Sequence, residues 1–423
     1  MINVIETFSG IGSQAKALKN VGIDYKISAI VEWDIYAFCA YDLIHNGPRD
    51  IRQYQDKTKE DLITELEALG LSTDGKNPTD RKSLRMMSTD TLRHILVAIK
   101  RTNNLVDITK VQGGDLPKKI DLLTYSFPCQ DLSICGAWHG NNSGIDRNAH
   151  NRSGMLWEIE RIIKQRVEAE QKLPRFLLME NVSNILSKTH RGNFQEWKNY
   201  LAELGYVNQV YTLNATNFGV PQRRVRTYML SVFCPNKAKK QKVENYFANN
   251  DLQEGTKRPL EPLINYLRVD YRNHGLYLEA CKSQPNNTQS RQHIYEDNDV
   301  IFDGVQTCVT AVNTLTTKQD RNPNSGVLEF PEGDPNKARY RNLTARECFL
   351  LMGFEDVDYE AVMDNNFYFN SRRQFFTMEK LTKMAGNSIV VNVLEEIFKQ
   401  VDEIDKKILR PYLQKKGKGK KND

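Results

Sequence analysis

No stretch of this 423-residue sequence stays apolar for the roughly 20 residues that a membrane-spanning helix needs, so no span is expected. The opening residues, Met1-Ile2-Asn3-Val4-Ile5-Glu6, lack the basic-then-apolar order of a secretory leader, and the sequence predicts a cytoplasmic protein. Cysteine is sparse and unpatterned. The seven residues, Cys39, Cys129, Cys135, Cys234, Cys281, Cys308 and Cys348, are odd in number, and no two stand in a C-x-x-C spacing. That argues against a disulfide framework or a zinc site, so no metal is expected, and it favours reduced thiols. A strong excess of one charge is also missing. The net charge is +6, but residues 415–423 hold five lysines and one aspartate and supply +4 of it. Overall charge is thus weak support for a nucleic-acid partner. What is present is a globular composition, 39% hydrophobic with a mean hydropathy of −0.59, on a chain long enough for two domains.

The first half alternates short β-like runs with longer helical ones. Strand patterns at Asn3–Phe8, Lys26–Val31, Asp121–Ser126 and Arg175–Met179 are each followed by a helical pattern: Ser13–Asn20, Ile35–Ile44, Met155–Val167 and Phe194–Leu204. Strand-like Asn208–Leu213 and Thr227–Phe233 come next. This alternation predicts an α/β fold with a parallel sheet covered on both faces, whose ligands bind beyond the carboxyl ends of the strands. Residues 47–103 interrupt the pattern as a charged, helical insertion, read as a solvated decoration. Irregular, Asn/Lys/Gly/Pro-punctuated sequence at 235–337 predicts a second, smaller domain, and helical Arg341–Phe354 and Gly386–Lys399 a return to the first. Residues 401–423 form a basic, partly disordered tail.

The segments just after the strands hold the chemistry. Phe8-Ser9-Gly10-Ile11-Gly12 is a glycine turn before a helix, suited to close backbone approach and free amide donors. Glu32-Trp33 follows the second strand, where a carboxylate can accept from ribose hydroxyls and an indole can stack on a base. Cys129 stands in Phe127-Pro128-Cys129-Gln130, on the loop expected to leave a strand, where a nucleophile can be held out toward a bound substrate. Glu180-Asn181-Val182 ends another strand. In Gln222-Arg223-Arg224-Val225-Arg226, strand alternation puts Arg224 and Arg226 on one face and Arg223 on the other.

In this order, these segments resemble the DNA (cytosine-5) methyltransferase family, together with Asn214–Arg224, Arg341–Glu347 through Gly353-Phe354, and Gly386-Asn387-Ser388. The resemblance covers about 1–46, 104–234 and 338–400. It implies a Rossmann-like S-adenosylmethionine-dependent methyltransferase domain (1–234 with the insertion, then 338–400) and a target-recognition domain at 235–337. S-adenosylmethionine would lie against Phe8, Ser9, Gly10, Gly12 and Pro128. Glu32 would bind its ribose and Trp33 would pack on its adenine. Asp107, Ile108 and Leu156 match other cofactor-side positions, and Asn387 and Ser388 the closing wall. Cys129 would be the nucleophile, adding to C6 of a flipped-out cytosine, with Glu180, Arg224 and Arg226 completing the catalytic set.

The resemblance further implies a duplex DNA substrate, with Thr310 matching a position near its phosphate backbone, and the Gly/Asn/Ser-rich stretch Gly136–Ser153 offers Arg147 and Arg152 to phosphates. Cys135 stands where some relatives carry serine. The expected setting is a monomeric restriction-modification enzyme, with any cognate restriction endonuclease acting separately, and the wording around Cys129 hints at a CpG-type target. Two rivals remain. A tRNA cytosine-5 methyltransferase would carry a shorter recognition segment. A DNA-binding protein without catalysis would not need Cys129, Glu180 and Arg224 intact.

Overall fold

The side chains of Ile2–Thr7 (β1) divide between two apolar cores, Ile2 and Val4 to one and Ile5 to the other. The same division holds in Leu122–Tyr125 (β3), where Leu122 joins the first core and Leu123 and Tyr125 the second. Such alternation is what a strand needs when both faces of its sheet are covered. The computed structural model describes residues 1–128, 152–319 and 321–410, without the side chains of Arg152 and Ser153. Cys129, Gln130, Cys135, Arg147 and the lysines of 415–421 therefore lie outside the described residues.

Tyr25–Val31 (β2), Phe176–Val182 (β4), Tyr206–Asn214 (β5) and Val225–Phe233 (β6) complete a six-stranded sheet in the order β2-β1-β3-β4-β6-β5. β2, β1, β3 and β4 are parallel. The expected all-parallel sheet is corrected at its far side, where β6 runs antiparallel to both β4 and β5. A parallel return needs a crossover of a dozen or more residues, usually a helix. The link from Asn214 to Val225 is shorter and holds no helix beyond a single 3-10 turn, Ala215–Asn217, before the two-residue strand Gln222–Arg223.

Helices Ser13–Val21 (α1) and Ile35–Asn46 (α2) cover one face, and Leu156–Glu168 (α5) and Arg191–Glu203 (α6) cover the other. The insertion contains Lys59–Leu69 (α3) and Thr89–Thr102 (α4), each N-capped by a hydroxyl, Thr58 and Ser88. It is not the solvated decoration expected. Leu62, Leu66, Leu92, Ile95 and Leu96 are fully buried in the core that α2 lines. The helical period of these residues gives them one continuous apolar face, and that face is consumed by packing.

The C-terminal part returns to the first face. Met378–Asn387 (α8) and Val391–Ile404 (α9) are separate helices, where a single helix over Gly386–Lys399 was expected. Two constraints meet at the break. A side chain at Gly386 would collide with the Thr316 backbone, and the Gly386 and Ser388 carbonyls accept hydrogen bonds from Arg224. Arg341 likewise sits in a short strand, the helix beginning only after the Thr344 cap. Residues 401–410 are ordered: a π-helical turn, Asp405–Leu409, extends α9, with Arg175 and Arg410 paired to Asp405. Lys237–Asn249 (α7) packs on β5 and reaches α9 through Tyr246 and Glu403, although it falls in the segment read as the second domain. Beyond it, strands 300–302, 327–329 and 340–341 form a small sheet beside helices 274–283 and 289–297. No helix among the described residues is long and apolar enough to cross a membrane.

Glu6 lies wholly inside; the Tyr41 hydroxyl and the Ala15 backbone approach its carboxyl, but neither oxygen has a hydrogen-bond partner within 3.5 Å among the described residues. Burial pushes its carboxyl up to about 8. A folded-state value above the unfolded one means the native state binds the extra proton, so Glu6 costs stability increasingly from about pH 4.5 to about pH 8. Glu6→Gln should therefore raise the melting temperature, with a larger gain at pH 8.5 than at pH 5. An equal gain at both would show that Glu6 ionisation is not coupled to folding.

Candidate active site

The carboxyl ends of β1 to β4 and the amino end of β6 form one rim, since Val182 stands opposite Arg226 and Thr7 opposite both Val31 and Tyr125. At the β1 corner Phe8 adopts φ 55, uncommon for a bulky side chain. It is held there by Phe8 N donating to Val31 O at 2.7 Å and by Ser126 Oγ donating to Phe8 O at 3.3 Å. A conformation so constrained at a strand end is a common mark of a ligand site. The Ser9 hydroxyl beside it is buried and without a hydrogen-bond partner among the described residues. α1 starts at once after this turn, and no side chain caps it.

Glu32 faces this corner. Its Oε2 accepts from Gly10 N at 3.0 Å and its Oε1 from Asp34 N at 2.9 Å. Each oxygen keeps a further lone pair for a ligand hydroxyl. Burial, with the Asp34 carboxylate nearby, pushes the Glu32 carboxyl up to about 7. Asn104 fixes the main chain of Glu32 from both sides, accepting from its amide at 3.0 Å and donating to its carbonyl at 2.8 Å. Sequence reading missed Asn104. The signal available was two consecutive asparagines at the end of a helical run, with Asn103 taking the left-handed cap.

The segment then carries Val106 at φ 63, a conformation rare for a β-branched residue, into Asp107 and Ile108. Asp107 Oδ1 accepts from the amide and hydroxyl of Thr109, while Ile108 is buried with Leu156 in the second core. Trp33 is half-buried against the first core. An orphaned hydroxyl, a carboxylate with spare acceptors and an uncapped helix start together fit the polar parts of S-adenosylmethionine.

At the other end of the rim, Arg226 Nε lies 3.5 Å from Glu180 Oε1, with both side chains more than four-fifths buried. Burial pushes the Glu180 carboxyl above its ordinary value, and Arg226 and then Arg224 pull it back. Asn181 Nδ2 donates to Phe127 O at 3.1 Å, tying the end of β4 to the Phe127-Pro128 turn that leads to Cys129.

Arg224 is placed differently from Arg226. Its guanidinium donates to the carbonyls of Leu315, Gly386 and Ser388 at 2.9–3.0 Å. It thereby clasps two distant segments, one at Leu315 and one at Gly386–Ser388, to its own. Asn387, the last residue of α8, is exposed, and Ser388 just past it is buried. Thr310 is exposed, far along the chain from the rim segments. Arg152 opens a short 3-10 turn, Arg152–Met155.

The model of the C-5 cytosine-specific DNA methylase family matches residues 89–403. The orphan methyltransferase M.SssI of Spiroplasma monobiae is 32% identical over 410 residues, covering 95% of this chain and 97% of its own. The type II methyltransferase M2.ScrFI of Lactococcus lactis subsp. cremoris is 31% identical, covering 95% and 99%. Among solved structures, the S. pombe Dnmt2 methyltransferase superposes with a TM-score of 0.58 at 18% identity, over 95% of this chain and 99% of its own, which shows a shared fold. With the family model matching most of the chain and two relatives matching nearly all of it, the chain belongs to the C-5 cytosine-specific DNA methylases.

Proposed function

We propose that this enzyme methylates C5 of a cytosine within a specific duplex DNA sequence, through a transient bond between Cys129 Sγ and C6 of the base. The observation that carries this reading is the Glu180–Arg226 pair on the rim, tied through Asn181 to the turn that delivers Cys129. C5 of cytosine is too weak a nucleophile to take a methyl group unaided. The thiolate of Cys129 adds to C6, and the C5=C6 electron pair shifts toward C5 and the ring. Glu180, kept protonated more readily by burial, gives a proton to N3 as negative charge builds there. Arg226 holds the Glu180 carboxyl in place and is aimed to meet O2. Ser9, Glu32 and the Phe8–Gly12 turn would hold S-adenosylmethionine, which would supply an electrophilic methyl group to C5 and be left as S-adenosylhomocysteine. Once C5 is methylated, a base removes its proton, the C5=C6 bond re-forms, the C6–S bond breaks and Cys129 leaves as thiolate. Glu180 takes back the N3 proton.

Cytosine C6 is out of reach in a stacked duplex, so the base must swing out, at a cost on the order of a few kcal/mol. The recognition unit in this reading starts after α7, because α7 packs on the catalytic sheet, and ends near Ala338. Arg224 serves as a clasp and not as a base contact. Bisulfite sequencing of DNA from cells expressing the chain tests the proposal. Conversion-resistant cytosines within one recurring short sequence are expected, and their absence with active protein present would refute it.

A further inference from the structure

The insertion carries a loop whose position bears on the cofactor. Ser72 N donates to Trp33 O at 2.8 Å and Ile35 N to Ser72 O at 3.0 Å, so the loop pairs with the main chain next to Glu32. The loop keeps its own shape through Asp74, whose Oδ1 accepts from Lys76 N, Asn77 N and Ser72 Oγ. From the opposite end of the chain, α8 brings Lys383, whose Nζ reaches Asp34 Oδ2 at 3.1 Å and the Asp74 carbonyl at 2.9 Å. Gly75, at φ 71, passes so close that a side chain there would press on both Asp34 and Lys383. Asp34 in turn donates its amide to Glu32 Oε1 and N-caps α2 through Tyr36 N. A continuous chain of bonds thus runs from α8 and the inserted loop to the Glu32 carboxylate.

We propose that Lys383 and the inserted loop Leu71–Thr79 form a brace that positions Glu32 for the ribose of S-adenosylmethionine, making the insertion part of the cofactor site. This rests on the reading of Glu32 as the ribose-binding carboxylate. Lys383 is a positioning residue that acts through Asp34. A cation there holds two oxygens at once, one on each side of the junction. Its loss leaves Lys380 Nζ on the Thr73 carbonyl, at 3.2 Å, as a remaining tie from α8 to the loop, and removes the cation that holds Asp34, so that Asp34, and with it Glu32 Oε1, can leave its set position.

The test is calorimetric binding of S-adenosylhomocysteine to the full chain without DNA, alongside steady-state kinetics. Lys383→Met should weaken binding and raise the cofactor KM by about tenfold, with kcat held within about twofold, because ground-state positioning is what is lost. Lys383→Arg should restore most of the affinity, since a guanidinium can span the same two oxygens. Gly75→Ala should weaken binding in the same direction. Glu32→Gln should weaken it by itself, and adding Lys383→Met to Glu32→Gln should cost little more, as expected for two residues acting through one contact. Undiminished binding in Glu32→Gln would overturn the ribose reading. Normal Glu32 dependence with either no effect of Lys383→Met, or an equal effect in both backgrounds, would overturn the brace.

Discussion

Cys129→Ala is expected to lower methyl transfer by on the order of 10⁴-fold or more, because without the thiolate C5 is never made nucleophilic. Binding of S-adenosylhomocysteine should persist, since the polar groups assigned to the cofactor (Ser9, Glu32 and the Phe8–Gly12 turn) are unchanged. The same cysteine should be the point of attachment when duplex DNA carrying 5-fluorocytosine is offered with S-adenosylmethionine. Fluorine cannot leave as a cation, so the final elimination stops and the C6–S bond stays. Mass spectrometry of the trapped peptide should place the link on Cys129. A link at another residue, or full turnover by Cys129→Ala, would sink the proposed chemistry. Glu180 and Arg226 would then have no developing charge to serve.

The second large effect is on stability. Arg341 and Glu347 form a two-pronged ion pair, both contacts 2.8 Å, with neither side chain exposed at all. Glu347 also accepts from the amides of Arg268 and Thr344, and Arg341 Nε donates to the Tyr271 hydroxyl. Arg341→Met should destabilise the fold by about 3–5 kcal/mol, because it strands a buried carboxylate. Urea denaturation measures this directly, and a loss under about 1 kcal/mol would mean the site rehydrates or rearranges. Adding Glu347→Leu should recover only part of the loss, since the helix cap through Thr344 goes with it.

The pair also sets a pH dependence. Arg341 and the two amides outweigh burial and hold the Glu347 carboxyl below its ordinary range. A depressed folded-state value contributes stability that is present above the unfolded value, about 4.5, and is lost as pH falls through the folded one. The wild-type protein should therefore lose stability below about pH 4 more steeply than Arg341→Met does.

Which residues would gather at the rim could be read along the chain, because each stands just past a run of β-type residues. Phe8, Glu32, Phe127 and Glu180 are such positions, and a sheet of parallel strands brings their ends to one side whatever covers its faces. Strand ends were less legible. Glu180 lies inside β4 and not after it, since its backbone still pairs with Tyr228 of β6, a partner about fifty residues away. The reversed strand β6 was invisible for the same reason. Its own residues fit either direction, and only the short connection from β5 decides.

The arginines divide along this line as well. Alternation put Arg224 and Arg226 on one face, yet they do different work. Arg226 faces Glu180, while Arg224 meets carbonyls from residues about 90 and 160 positions later. The insertion's charged composition suggested a solvated surface, but the apolar stripe inside it found a core that only the folded chain supplies.

The sequence alone determined the chemistry available to this protein. A thiol, a carboxylate, paired arginines and a glycine turn in a fixed order carry the family resemblance on which the proposed reaction rests, because those features belong to side-chain types and local spacing. The tertiary structure decided which arginine meets the carboxylate, where the sheet reverses, and that the insertion and α8 close on Glu32. Those outcomes depend on contacts between segments up to about 350 residues apart, and such contacts arise from packing and hydrogen-bond satisfaction that no local pattern encodes.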